Sequence, residues 1–186
     1  RPTSGLEFVS SRHFPDEVQD DLLLCNTIGF LGIKQHQLID SGAGYQGKHR
    51  HDLLTCKDGN FRPVDLEFAP DGSLYLCDWH NVLVGHMQHS ARDPLRDHKH
   101  GRIYRITYPE RPLVEPAKID GAPLATLFAN LSLPEDRTRS RTRRELRARS
   151  ASDFLPALKE WTKSQTNEHI LLETLWVTWG FDQVDS

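Results

Sequence analysis

The chain has 186 residues, 37% of them hydrophobic, with 23 basic and 26 acidic side chains and a formal net charge of −3. That length suffices for one domain, or two small ones, with a real core. The near balance of charge gives no argument for nucleic-acid binding, and no run is apolar and long enough to span a bilayer. Hydrolase elbow, phosphate-loop and dinucleotide motifs do not occur, which excludes the commonest hydrolase and nucleotide-binding classes.

The first sixty residues predict a four-stranded antiparallel unit. Its strands are expected at residues 5–10, 22–25, 30–39 and 45–56. The second is a short apolar run typical of a buried strand, and the third alternates polar and apolar residues. The opening Arg-Pro-Thr-Ser-Gly, without Met and already inside a strand-like pattern, suggests a piece of a longer protein.

Residues 61–109 carry the most informative pattern of the chain. Apolar and polar side chains alternate over residues 64–69, which is the period of a half-buried strand. Pro70-Asp71-Gly72 predicts a tight turn, and strands at residues 74–79 and 103–108 complete a three-stranded meander, the unit of a β-propeller blade. Closed propellers have about 4–8 blades, so about two blades are expected to expose apolar sheet faces or to depend on further chain.

A long polar connection, residues 81–99, separates the last two of these strands. Most connections are about 4–6 residues long, and much longer ones are usually functional or disordered. In a meander this connection lies at the same end as the entry to the first strand, so Arg62 and Asp65 are expected to meet Asp78 and the insert at a channel mouth. The candidates in and just after the insert are His86, Gln88, Arg92, Asp93, Arg96 and His100.

Two interpretations of the insert stay open. Arginine suits bidentate capture of carboxylates, and aspartate with histidine or glutamine can ligate a divalent cation, so the insert can form a cofactor, metal or sugar site. Alternatively, Arg92–Asp93 and Arg96–Asp97 form an ion-pair network that only holds the loop. Asp78 is similarly either a ligand or, as we favour, a cap for the following turn.

The chain changes character after residue 109. Residues 110–123 contain three prolines and predict an extended linker. Helices are predicted at residues 124–131, 134–149, 153–164 and 168–179. Ser152 or Asp153 is expected to cap the third, with Pro156 in its first turn, and Asn167 the fourth. Antiparallel amphipathic helices of this kind are typical of an α-solenoid.

Three further sets of residues have a structural prediction. Cys25 and Cys77 are expected to be buried free thiols, while a disulfide involving Cys56 stays open. The tryptophans Trp161, Trp176 and Trp179 are expected in the helical core. The arginine run at residues 137–149 lacks interleaved aromatics, so a solvated, acid-paired face is expected rather than a nucleic-acid surface.

Several motifs occur in a characteristic order: D-W-x-N, G-H-M-Q-H, R-D-P-x-R-D and H-G-R-I-Y-R, flanked by S-S-R-H-F-P-D-E and L-L-E-T-L-W. On these motifs the chain resembles the membrane-bound dehydrogenase-like propellers of planctomycete-type bacteria. In those secreted or envelope proteins a sugar-dehydrogenase-like β-propeller precedes HEAT-type helical repeats, often with a haem-c domain. The resemblance implies a partial, mainly β propeller over residues 1–109, a linker over 110–123 and the start of an all-α HEAT-like region over 124–186.

The resemblance also implies a function: a quinone-dependent sugar or alcohol dehydrogenase, extracytoplasmic or periplasmic and envelope-associated. Its cofactors would be pyrroloquinoline quinone and calcium, with haem c in a domain outside this chain. Its partners would be the remaining blades and helical repeats and a carbohydrate substrate, without nucleic acid, and the isolated piece is expected to be inactive. The alternative is a non-catalytic module that binds carbohydrate or protein.

Each candidate residue then has an expected role. His86 would be the general base that takes the hydroxyl proton. The cofactor-binding set is Arg62, Gln88, Arg92, Arg96 and His100, and the metal-binding set is Asp65, Asp78 and Asp93. One departure weakens the match, because no Arg-Asn-x-Gln-type quinone contact occurs in the chain.

Overall fold

The computed structural model of the chain describes residues 3–82, 84 and 92–184. The chain divides into two compact units, Arg1–Val114 and Glu115–Ser186. Antiparallel sheets build the first unit and four helices build the second, in agreement with the predicted change from β to α structure. Among the described residues, no helix has the length and apolar character needed to cross a membrane.

The first sheet of the β unit contains four antiparallel strands that follow one another in chain order. They are β1 (Thr3–Phe8), β2 (Leu22–Asn26), β3 (Gly32–Ser41) and β4 (Gly44–Thr55). All four predicted strands are therefore confirmed. Asp21, buried before β2, accepts hydrogen bonds from Gln35 (Nε2, 2.6 Å) and Arg50 (Nε, 2.6 Å), which ties the middle of the sheet to its outer strand.

The second sheet is the predicted three-stranded meander. Its strands are β5 (Pro63–Phe68), β6 (Leu74–Asp78) and β7 (Arg102–Ile106), in that order across the sheet. Gly72 has a φ of +81° in the turn between β5 and β6, a conformation that favours glycine. Arg105 of β7 donates to Asp71 Oδ2 at 2.6 Å and so fixes the same turn from the far strand.

One hydrophobic core joins the two sheets. Its buried members come from both sheets and their connections: Val9, Phe14, Val18, Leu23, Cys25, Ile33, Phe61, Leu66, Phe68, Leu74 and Leu76. Strands β1 and β5 touch at Gly5, where an added Cβ would lie only 2.6 Å from the Cα of Asp65. The hydroxyl of Ser4 also donates to the carbonyl of Pro63 at 2.9 Å.

His13 is a structural residue of this unit. It is only 1% exposed, and its Nδ1 lies 2.9 Å from the carbonyl oxygen of Pro112. Its Nε2 accepts the backbone N–H of Tyr108 at 2.9 Å. The ring therefore ties the segment after β7 to the connection between β1 and β2.

The outer faces of both sheets carry exposed apolar side chains. Ile103 is 72% exposed on the second sheet and Leu6 is 58% exposed on the first. Cys77 is also exposed, so the prediction that it is buried is wrong. It pairs in register with Asp65 and Ile103 on the face away from the core, because neighbouring residues of a strand point to opposite faces.

The second unit has four helices around its own core. They are α1 (Leu124–Asn130), α2 (Asp136–Arg147), α3 (Ala151–Thr162) and α4 (Glu168–Trp179). Their buried apolar residues include Leu127, Leu131, Leu146, Phe154, Leu158 and Val177. As predicted, Asn167 caps α4, because its Oδ1 accepts the N–H groups of His169 (2.9 Å) and Ile170 (3.2 Å).

Two predictions about these helices are wrong in detail. Helix α3 begins at Ala151, two residues before the predicted start, so Pro156 lies in its second turn rather than its first. Trp179 is 61% exposed, so it is not a core residue. Helix α4 buries Glu173, Thr174 and Val177, and a tryptophan two residues beyond Val177 falls on another side of the helix.

A buried carboxylate holds α2 against α4. Glu173 is fully buried, and it accepts from Nε of Arg139 at 3.0 Å and from Nη1 of Arg143. The guanidinium of Arg143 also lies over the Trp176 ring, 5.0 Å from its centroid. Two of the arginines of α2 are therefore structural. They pair with an acid, as expected, but Arg139 is buried, so the expectation of a solvated face is wrong for this part of the run.

Candidate functional site

The entry to β5 and the exit from β6 meet at one end of the second sheet. The backbone N–H of Arg62 donates to Asp78 Oδ1 at 2.7 Å, and the N–H of Trp79 donates to the carbonyl of Arg62 at 2.9 Å. The N–H of His80 donates to the same Asp78 oxygen at 2.7 Å. The predicted neighbourhood of these two segments is thus confirmed, as is the turn-capping role of Asp78.

The second oxygen of Asp78 is not used by this turn. Asp78 is 3% exposed, and its Oδ2 accepts no hydrogen bond from the described residues. It lies 3.4 Å from Nδ1 of His80, which is also buried and makes no hydrogen bond in the described part of the chain. The two atoms face each other as an ion pair when His80 is protonated, and neither makes a hydrogen bond among the described residues. A buried polar pair of this kind calls for an explanation, and a binding role is one.

His80 is a site residue that the sequence did not indicate. It adopts a φ of +52°, the left-handed conformation, although it is not glycine. For such a residue this conformation costs roughly 1–2 kcal/mol, and strained residues cluster at functional sites. Only the spacing Asp78-x-His80 in the sequence could have suggested it.

Arg62 is a buried cation of the same corner. It is 8% exposed, and its Nη1 and Nη2 donate to the carbonyls of Phe61 and Val82, both at 2.8 Å. Its Nε is buried and has no partner among the described residues. Burial lowers the pKa of Arg62, and the more distant charge of Asp78 opposes this only in part. A buried guanidinium in this state favours an acceptor oxygen beside it.

A surface cleft of about 470 Å³ opens onto Arg62. Its other walls are the turn between β2 and β3 (residues 27–31), Gly59 and Val84. Both sheets therefore contribute to one opening. Its volume lies within the range of about 300–1,000 Å³ that is usual for small-molecule sites.

The three predicted metal ligands do not come together. Asp65 is exposed and pairs in register with Cys77, so its side chain lies on the opposite face of the sheet from that of Asp78. Asp93 Oδ1 accepts the N–H of Leu95 at 2.9 Å within its own turn. In the described part of the chain, no group of three His, Cys, Asp or Glu side chains is arranged to hold a metal ion.

The described residues of the insert after β6 form a compact polar loop. Asp97 Oδ1 accepts the N–H groups of Lys99 (2.9 Å) and His100 (3.1 Å), and its carbonyl accepts from Asn81 Nδ2 at 3.3 Å. The Nδ1 of His100 lies 3.0 Å from Asp97 Oδ2 on the surface. Arg96 lies over the ring of Trp79, 4.7 Å from its centroid.

The remaining candidates of the insert are Arg92, His86 and Gln88. Arg92 is exposed and is not among the residues that line the cleft. His86 and Gln88 lie outside the described residues, so their predicted roles stay predictions. The cleft and the Arg62–Asp78–His80 corner are therefore the best-defined part of the site.

The fold and the site define a protein in which a two-sheet β unit, with a ligand-sized and mainly apolar cleft beside Arg62, is followed in the chain by a helical unit. This chain belongs to the family described as Domain of unknown function (DUF7133), which matches residues 2–110 and hence the larger part of the sequence. No match to the chain was found among curated proteins or among solved structures.

Proposed function

We propose that the β unit is part of a sugar-dehydrogenase-like β-propeller and that the protein takes part in quinone-dependent oxidation of a sugar or alcohol. Two successive antiparallel sheets whose first strands lie against each other at Gly5 support the propeller arrangement. The observation that carries the functional proposal is Arg62, a buried cation whose Nε is unused among the described residues, on the wall of a ligand-sized cleft.

The geometry of Arg62 fits an anionic cofactor with carboxylates, such as pyrroloquinoline quinone. The two backbone carbonyls that it binds hold the guanidinium plane in place, so that its positive charge lies at the cleft wall, where a carboxylate can pair with it. When bound, the quinone supplies the hydride-accepting chemistry. The role of this corner is to orient the cofactor and to keep water away from the charged contact.

Calcium fits the described residues poorly. The ion takes six to eight oxygen ligands, whereas Asp65 and Asp78 lie on opposite faces of the sheet and Asp93 is engaged in its own turn. The oxidation proposed here therefore uses no calcium ion held by these three aspartates.

The other parts of the proposal follow from the resemblance. His86 is proposed as the base that accepts the hydroxyl proton, with Gln88, Arg92, Arg96 and His100 as further cofactor contacts. The helical unit is proposed as the start of a HEAT-like region. Electrons are proposed to pass to haem c in another domain of an envelope-associated, extracytoplasmic protein.

A second candidate function is a non-catalytic module that binds carbohydrate. The guanidinium of Arg62 on the cleft wall and the 3.4 Å Asp78–His80 pair, which offers an acceptor oxygen and a ring nitrogen, favour this alternative because they suit the hydroxyl groups of a sugar.

Titration of the 186-residue chain separates the two candidates. Pyrroloquinoline quinone should quench its tryptophan fluorescence on binding, and Arg62→Met should weaken that binding about tenfold or more, since a hydrogen bond to a charged group contributes roughly 1.5–3 kcal/mol. Arg62→Lys, which keeps the charge, should lose less. Arg102→Met, an exposed arginine of β7, is the matched control and should bind like the parent chain.

The outcomes distinguish the candidates. If the chain binds glucose but not the quinone, the result would favour the carbohydrate-binding module over the dehydrogenase. Equal quinone affinity of the parent and Arg62→Met, with unchanged circular dichroism, would remove the cofactor role of Arg62.

A further inference from the structure

The arginines of α2 fall into two sets with different environments. The helix contains six arginines, and Arg139 and Arg143 are neutralised by buried Glu173. Arg141 and Arg144 are exposed and form no hydrogen bond or ion pair among the described residues. At a spacing of three they share one side of the helix, so this side presents charge that the unit itself does not use.

These two arginines line a groove of about 910 Å³ within the helical unit. The facing wall is the segment 117–123, which includes the exposed Lys118. Hydrogen bonds hold this wall in place: Asn130 Nδ2 donates to the Lys118 carbonyl at 2.9 Å, and Arg149 Nη2 donates to the Ala122 carbonyl at 2.7 Å. The groove is therefore a built feature rather than a gap beside a loose segment.

The charge of the groove is positive. Its two acids are Asp120 and Glu145, and Glu145 is already paired with Arg149, 2.7 Å away. Lys118, Arg141 and Arg144 therefore share the groove with one acid, Asp120, that forms no ion pair with the residues described for this unit, although the whole chain carries a net charge of −3.

We propose that this groove binds an acidic peptide segment of a partner protein. Arginine pairs bidentately with carboxylates, and the groove offers two such side chains on one side and a lysine on the other. Its lining also contains apolar residues that can contact an aliphatic side chain: Ala117, Ile119, Ala122, Pro123 and Ala148. The proposal does not depend on the function proposed for the β unit.

The composition of the groove favours a peptide over a nucleic acid. Its lining contains no aromatic residue, whereas single-stranded nucleic acids are held largely by stacking of bases on aromatic side chains. Phosphate contacts alone would give only weak binding without sequence preference.

Fluorescence polarisation of a labelled Glu-Glu-Glu-Leu-Glu-Glu-Glu peptide tests the proposal on the full chain. The parent should bind it at low salt, and binding should weaken as salt rises through physiological strength. The double variant R141E/R144E should bind at least about tenfold more weakly, because reversal replaces attraction by repulsion. K48E/K57E, which makes the same charge change at exposed positions of the β unit, should bind like the parent.

Each other outcome would overturn the proposal. Absence of peptide binding by the parent, or an equal loss in both double variants, would show that the groove is not the determinant. Tighter binding of a decathymidylate, with displacement of the peptide, would identify a nucleic-acid surface instead. Unchanged circular dichroism of R141E/R144E separates loss of binding from loss of fold.

Discussion

Replacing Gly5 with alanine tests the junction of the two sheets. The new Cβ would lie 2.6 Å from the Cα of Asp65 and 2.8 Å from the carbonyl oxygen of Val64. Carbon atoms in contact are about 3.5–4.0 Å apart, so β1 and β5 must separate by roughly 1 Å. Gly5 lies where the register of β1 shifts, a place where strands bend and backbones approach closely.

The expected loss of stability follows from three contributions. Overpacking against backbone costs about 1–3 kcal/mol, and loss of the 2.9 Å bond from Ser4 to the carbonyl of Pro63 costs about 1 kcal/mol. Alanine offsets about 0.4–1 kcal/mol of this because it restricts the unfolded chain. The net expectation for Gly5→Ala is a destabilisation of about 1–3 kcal/mol.

Amide hydrogen exchange of the full chain, measured on peptides, gives the local effect. Peptides covering β1 and β5 should exchange roughly 5–150 times faster in Gly5→Ala, since 1.4 kcal/mol is a factor of ten. Peptides of α4, in the other unit, serve as an internal reference. Gly47→Ala is the matched control, because an added Cβ there meets nothing within 4 Å. Equal exchange in the two variants would refute the close approach of β1 and β5.

Three further predictions concern buried and charged side chains. Glu173→Gln should lower the free energy of unfolding, measured in urea, by about 3 kcal/mol, because two arginines lose their carboxylate partner. Glu160→Gln, at an exposed ion pair, is the control and should change this free energy by less than about 0.5 kcal/mol. Similar losses in the two variants would contradict the importance of the buried ion pair. Burial raises the pKa of Cys25 to about 12. Iodoacetamide at about pH 8 should therefore alkylate the exposed Cys77 before Cys25. Equal labelling of the two cysteines, measured by mass spectrometry, would mean that the core opens. Burial alone would raise the pKa of Asp71, but hydrogen bonds from Ser73 and the nearby Arg105 lower it below 3.8. The stabilisation from Asp71 is therefore present above pH 3.8 and lost as the pH falls through the lower folded value, and an unchanged acid-unfolding curve for Asp71→Asn would count against it.

The strands and helices were predictable because their signals are local. Alternation over residues 64–69 predicted the face that buries Leu66 and Phe68, since successive side chains of a strand point to opposite sides. Asn167 was recognisable as a helix cap because its side chain bonds to backbone two and three residues further on. The start of α3 was missed by two residues because Ser150, at its N-cap position, makes no capping hydrogen bond.

The candidate site was predictable only in outline. Meander topology alone brings Arg62 and Asp78 to one end of the sheet, as the 2.7 Å bond between them confirms. The observed strand register places the side chains of Asp65 and Asp78 on opposite faces of the same sheet. His80 was missed because its burial and its φ of +52° depend on the packing of the corner and not on any local pattern.

By itself, the amino-acid sequence determined the spacing of apolar residues in the strands and helices, the order of these elements and the place where β structure gives way to helices. The tertiary structure decided which polar atoms lose contact with water: Arg62 Nε, Asp78 Oδ2 and His80 Nδ1 in the β unit, and Glu173 between two helices. Backbone periodicity arises within a few consecutive residues, whereas desolvation depends on every segment that packs around an atom. Chain positions 34 residues apart, such as Arg139 and Glu173, become partners only when the core forms.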